Sequence, residues 1–118
     1  MKEKVIRILV VPVNEEPRIM TIQNELRASQ EVVSGYIQVF PMDSVRPNPS
    51  LGAIAVLNEE GKMTDGVKPN CPIFNNGKVF DVFYGKFFIC SLNGEYFGSI
   101  TPEQETYYKT LFANNSLG

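Results

Sequence analysis

Near the N-terminus, Lys4 to Val13 (KVIRILVVPV) is apolar at nearly every position. A strand with one face in water alternates apolar and polar residues. An almost unbroken apolar run instead fits a strand covered on both faces, in the middle of a sheet. Asn14-Glu15-Glu16-Pro17 has the chemistry of a turn, and Arg18 to Ile22 (RIMTI) alternates, so the first two strands are expected to form a hairpin. A chain of 118 residues has room for one domain, 1–118, because a second would leave each half too small for a secure core. Hydrophobic residues make up 43% and include eight Phe and five Tyr, enough to build that core.

The period changes at Gln23. Ile22, Leu26, Ser29 and Val33 share one face at helical spacing and Glu25, Arg27, Gln30 and Glu31 the other, with Gln23 or Asn24 to cap the start. Ser34-Gly35 ends the helix, Gly35 being able to take positive φ at no steric cost. Tyr36 to Phe40 (YIQVF) reads as a third strand, and the proline-rich stretch 41–50 as a loop. Leu51 to Leu57 (LGAIAVL) is small and apolar, a buried strand against which something packs closely. Asn58-Glu59-Glu60-Gly61-Lys62 is a polar turn, and 63–77, rich in Gly, Pro and amides, is an irregular excursion.

Val79 to Tyr84 (VFDVFY) and Lys86 to Cys90 (KFFIC) bracket Gly85, which marks either a bulge or a bend in one long strand. Asn93-Gly94 signals a two-residue hairpin, with Tyr96 to Ile100 returning. In the last element Thr101 caps a helix, Pro102 takes its first position and Gln104 stands where a capping box needs it. Tyr107, Tyr108, Leu111 and Phe112 form its apolar face, and Asn114-Asn115 ends it. The sum is α+β: a mainly antiparallel β-sheet of about six strands in ββαββ-ββα order, with two helices packed on it, expected on one face.

The chain contains no histidine. That removes the usual general base near neutral pH, the usual partner of a Ser or Cys nucleophile and the commonest metal ligand. Ser, Thr and Tyr are plentiful, but none stands in a GxSxG elbow, a Ser-x-x-Lys pair or a P-loop. Cys71 and Cys90 form no CxxC and read as small buried hydrophobes, so neither a metal nor another cofactor is expected. Net charge is −2 with 11 scattered Lys and Arg, which gives no basic face for a duplex and no acidic stripe for a DNA mimic. The absence of a long apolar run or a signal-like N-terminus sets the expectation of a cytoplasmic protein with no membrane association.

Three polar constellations remain. In Asn58 to Lys62, a carboxylate pair beside a lysine suits acid–base work or a cation, whereas the plain alternative is a solvated turn with Gly61 in the left-handed conformation. Glu59 and Glu60 are adjacent, so in extended chain they point to opposite faces. In Gly35-Tyr36 the phenol stands at the helix end, where it either meets a ligand or packs as a strand aromatic. In Lys68-Pro69-Asn70 the amide either reads a polar edge or closes a turn. The Phe80, Phe83, Phe87, Phe88 run reads as core.

The order of segments resembles a known family. Ile6-Arg7-Ile8-Leu9-Val10-Val11-Pro12 is followed by a helix ending in Gly35-Tyr36-Ile37-Gln38-Val39. Then come Asn58-Glu59-Glu60-Gly61-Lys62, Pro69-Asn70, Asp81 through Gly85-Lys86-Phe87-Phe88, and Ser99-Ile100-Thr101-Pro102-Glu103-Gln104. This order is similar to the family called domain of unknown function 3846, over about 5–112. The resemblance implies a small accessory protein of phage or mobile-element type, in a bacterial host cytoplasm, of the kind that binds a host protein or a signalling molecule or counters a defence system.

These readings lead to an expectation of a non-enzymatic binding protein that sequesters a nucleotide-like small ligand or a host protein, as a homodimer or higher homo-oligomer. Its site would comprise Tyr36, Asn58, Glu59, Lys62 and Asn70. The Gly35-Tyr36 cap and the Asn58 to Lys62 turn would end on one side of the sheet, with Tyr stacking, Lys meeting a phosphate and Asn reading a polar edge. Two alternatives stand beside it: a modulator of a DNA-processing or restriction enzyme acting through an acidic surface, and a carboxylate-dependent enzyme using Glu59 and Glu60.

Overall fold

The computed structural model describes residues 2–42, 52–75 and 78–113. Strand β1 spans Val5–Val11, β2 Arg18–Gln23, β3 Ile37–Pro41, β4 Ala53–Asn58, β5 Pro69–Asn75, β6 Lys78–Tyr84, β7 Phe87–Asn93 and β8 Tyr96–Gly98. Helix α1 spans Leu26–Val33 and α2 Pro102–Leu111, and a single 3₁₀ turn covers Gly61–Met63. Six strands form one antiparallel sheet in the order β2-β1-β7-β4-β3, with β8 also paired to β7. Strands β5 and β6 pair as a separate antiparallel ribbon. The α+β class and its antiparallel sheet are as expected, with eight strands where about six were counted.

The central strands carry apolar side chains on both faces. On one face Ile6, Ile8, Val10, Ile54, Val56, Phe88 and Cys90 pack under Val32 and Val33 of α1. On the other, Leu9, Val11, Ala53, Ala55, Leu57, Phe87 and Ile89 pack under Tyr108 of α2 and Phe112 at its C-terminal cap, and under Cys71, Ile73 and Phe83 of the ribbon. The two helices therefore lie on opposite faces, not on one. Each of these large side chains contributes roughly 1.5–3 kcal/mol when taken fully out of water, so both alternate sets of β1, β4 and β7 need a cover. On the ribbon side the rings Phe40, Phe83, Phe87 and Phe112 meet edge to face in a chain, with centroids 5.2, 5.1 and 5.4 Å apart.

Several local expectations are corrected. The ribbon strand β5 lies inside the supposed irregular excursion. Its register shifts at Pro69/Cys71 and at Ile73/Phe74 break the alternation that would have marked it, although Cys71 and Ile73 both point into the core. Met42, assigned to a loop, is 1% exposed and belongs to the core. Leu26 is 60% exposed, and the buried face of α1 is Ser29, Val32 and Val33. Asn24 does not cap α1: its amide donates to Glu3 O and Phe97 O, both at 2.9 Å. Gly85, with φ +77, is neither a bulge nor a bend in one strand but the corner between β6 in the ribbon and β7 in the sheet.

The two-residue turn of the last hairpin is Gly94-Glu95, one residue later than expected, because Asn93 pairs with Tyr96. Helix α2 begins as expected. Thr101 accepts from Gln104 N–H at 3.1 Å, and Thr101 N–H donates to Gln104 Oε1 at 2.9 Å. Gln104 Oε1 also accepts from Ser91 Oγ at 2.8 Å, so the capping box is bonded to β7 beneath it. The loop residues 43–50, the Asn114-Asn115 stop and the side chain of Phe80 lie outside the described residues.

Candidate functional site

Helix α1 ends where Ser34, not Gly35, enters the left-handed region at φ 64 and ψ 40. The Ser34 N–H donates to Gln30 O, and the Gly35 N–H donates to the same oxygen at 3.1 Å. Other carbonyls at this helix end still need donors. Asn58, at the end of β4, supplies two of them: its Nδ2 donates to Val33 O and to Ser34 O, each at 3.2 Å. Its Oδ1 accepts from Glu60 N–H at 2.8 Å, and Glu59 N–H donates to Tyr36 O at 2.8 Å. The helix end and the turn after β4 are thus stitched together by one asparagine.

Beside this junction lies a cleft of about 700 Å³. The α1–β3 junction lines it with Gln30, Val33, Ser34, Gly35 and Tyr36. The turn after β4 and the segment beyond add Asn58, Glu60, Thr64, Gly66, Val67 and Lys68. Val13, after β1, and the Gly85-Lys86 corner complete it. Tyr36 is 68% exposed, an aromatic ring left largely in water at a concave surface. The turn itself is closed by Met63 N–H to Glu60 O at 3.0 Å and Thr64 Oγ1 to Glu60 O at 2.7 Å.

The five residues singled out from the sequence do not all meet. Tyr36 and Asn58 share the cleft. Glu59 and Lys62 line a second, smaller hollow of about 230 Å³, which Asn58 also borders, together with Gln38, Asp81 and Tyr84, and the Lys62 ammonium is paired with the Asp81 carboxylate. Asn70 is fully buried; its amide donates to Val11 O at 2.9 Å and Gly85 O at 2.8 Å, so it braces the fold under the cleft. Glu59 and Glu60 line different hollows, as their adjacency implied. Gly61 does not take positive φ. It is buried in the 3₁₀ turn, where a Cβ would stand 3.1 Å from Tyr84 O.

Lys68 and Lys86 line the cleft but were not counted in the expected site, and Glu60, weighed only as half of a catalytic carboxylate pair, lines it too. Gly85 N–H donates to Lys68 O at 2.8 Å, which joins two short segments remote in the chain. The only sequence signal was that Lys68-Pro69-Asn70 and Gly85-Lys86 each stood out on their own. Burial pushes the thiols of Cys71 and Cys90 up to about 12, so neither is a thiolate near neutral pH. Among the described residues no group of three or more Cys, Asp or Glu is placed to hold a metal ion, and no helix is long and apolar enough to cross a membrane.

What fold and cleft define is a two-faced antiparallel α+β domain with a concave site where the end of α1 meets the ends of several strands. The chain belongs to the family described as Domain of unknown function (DUF3846), whose model matches residues 6–113. No curated protein and no solved structure matches it.

Proposed function

We propose that this protein binds a small organic ligand in the cleft beside Asn58 and holds it without transforming it. The observation that carries this reading is the cleft itself. At about 700 Å³ it falls within the 300–1,000 Å³ typical of small-molecule sites. Its floor is fixed by bonds from Asn58 and Asn70, so little ordering remains to be done when a ligand enters. Val13, Val33 and Val67 supply apolar surface, and Tyr36 an open ring. The two carboxylates considered for catalysis face different hollows, and Lys62 is engaged by Asp81, which favours binding over an acid–base pair.

A thermal-shift panel of nucleotides, cyclic dinucleotides, nucleosides and unrelated aromatic acids tests this. A ligand specific for the folded state raises the midpoint once its concentration exceeds Kd, by about 2.7 kcal/mol of added stability at a hundred times Kd. At least one class is expected to do so, with the shift reduced in Tyr36→Ala. A panel without a shift, together with a stable complex recovered with a protein partner, overturns the small-ligand reading.

A further inference from the structure

Two lysines line the cleft at one corner of the fold. Lys68 stands just before β5 and Lys86 just before β7, and Gly85 N–H to Lys68 O at 2.8 Å ties their backbones together. Gly85 turns with φ +77, and the fully buried Asn70 holds its carbonyl at 2.8 Å. The corner is therefore braced from below, and both lysines line the cleft. Among the described residues neither lysine has a carboxylate partner, in contrast to Arg7, Arg18, Lys62 and Lys109. Lys2, Lys4, Arg27 and Lys78 are likewise without one, but only Lys68 and Lys86 line the cleft. In a chain of net charge −2, two unneutralised cations at one concave corner are a specific arrangement, not a consequence of a basic surface. Such a corner attracts an anion, and a phosphate accepts from both ammoniums at once.

The other polar groups of the cleft limit what that anion is attached to. Tyr36 offers the open face of its ring. The Glu60 carboxylate also lines the cleft and repels a second negative group, so it suits the part of the ligand that carries N–H donors. We propose that the cleft takes a phosphorylated small molecule bearing a flat, N–H-carrying ring. The phosphate lies on Lys68 and Lys86, the ring on Tyr36 and the donor edge toward Glu60. This assignment rests on the cleft being the ligand site, and it places the phosphate on Lys68 and Lys86 in place of Lys62.

The test is an amide chemical-shift titration of the ¹⁵N-labelled protein at constant ionic strength, with sodium pyrophosphate, adenosine 5′-monophosphate and adenosine as probes. Pyrophosphate is expected to move the amides of Lys68, Gly85 and Lys86, and adenosine 5′-monophosphate those of Tyr36 and Glu60 as well. Lys68→Gln, at an exposed position, and Lys86→Gln, at a half-buried one, are each expected to weaken the phosphate probes about tenfold, the loss of one charge-assisted bond. Lys62→Gln is expected to leave them unchanged. Adenosine binding as tightly as its monophosphate, or phosphate probes indifferent to Lys68→Gln and Lys86→Gln, overturns the phosphate assignment and leaves the ligand-binding reading standing. No response to either phosphate probe also overturns it, and the panel described above then decides separately whether the cleft holds anything else.

Discussion

A Cβ added to Gly35 would stand 2.7 Å from Asn58 Nδ2. The glycine is required by that approach and not by its backbone angle, since the left-handed residue of the helix end is Ser34. Gly35→Ala therefore displaces the amide that caps Val33 O and Ser34 O, at a cost of about 1–3 kcal/mol. Asn58→Ala removes the same bonds and falls in the same range. Because both act on one contact, Gly35→Ala is expected to cost clearly less in an Asn58→Ala background. Urea unfolding of the two single variants and the double variant measures the coupling, and simple additivity contradicts it.

Asn70 donates to Val11 O and Gly85 O from a fully buried position. Asn70→Ala leaves both carbonyls short of a donor and opens a small void, and is expected to destabilise by about 2–3 kcal/mol. The same variant frees the Gly85 corner, so ligand affinity is expected to fall as well. A loss of stability under 0.5 kcal/mol, roughly the range of a neutral surface change, would contradict a bracing role.

Cys71 and Cys90 are buried free thiols on opposite faces of the sheet, and burial raises both to about 12. A thiol reagent at pH 8 is expected to react with neither in the native protein and with both once denaturant is added. Because each sits in a core, the two should become reactive together, with the global transition. Early reaction of Cys71 alone would mean that the ribbon opens independently of the sheet.

Glu105 on α2 meets Lys109 at 3.2 Å and Arg7 of β1 at 3.2 Å. The hydrogen bond from Lys109, with smaller help from its charge and from Arg7, holds the carboxyl below its usual value against a desolvation cost. A carboxylate depressed in the folded state adds stability above its unfolded pKa, and that contribution is lost as pH falls through the folded value. The group is partly open to water, so the expected effect is no more than about 1 kcal/mol. Glu105→Gln should flatten the acid limb of the stability curve below pH ~4.3, the ordinary Glu value, and a limb identical to that of the parent protein would remove Glu105 from the explanation.

How much of this was legible in the sequence depended on distance along the chain. The α1–β3–β4 stretch follows in order, and Ile37 pairs with Asn58, so Tyr36 and Asn58 could be placed together from local patterns alone. Lys68 and Lys86 are brought together by the bond from Gly85 N–H to Lys68 O, and no short-range period reports such a contact. Strand β5 was hidden by Pro69 and Pro72 and by two register shifts, although its inward pair Cys71 and Ile73 kept the strand period. The placement of both helices on one face conflicted with the run from Lys4 to Val13, which already required cover on two sides. Asn70 was singled out for its amide and is indeed fully bonded, but to the protein's own backbone.

The most direct measurement is a backbone amide map of the folded protein with whichever panel compound raises its midpoint most. Perturbations confined to residues 34–36, 58–60, 66–68 and 85–86 are the expected result and place the ligand in the cleft. Perturbations centred on the Lys62–Asp81 hollow or on the outer strands β2 and β3, with the cleft amides unmoved, would contradict it.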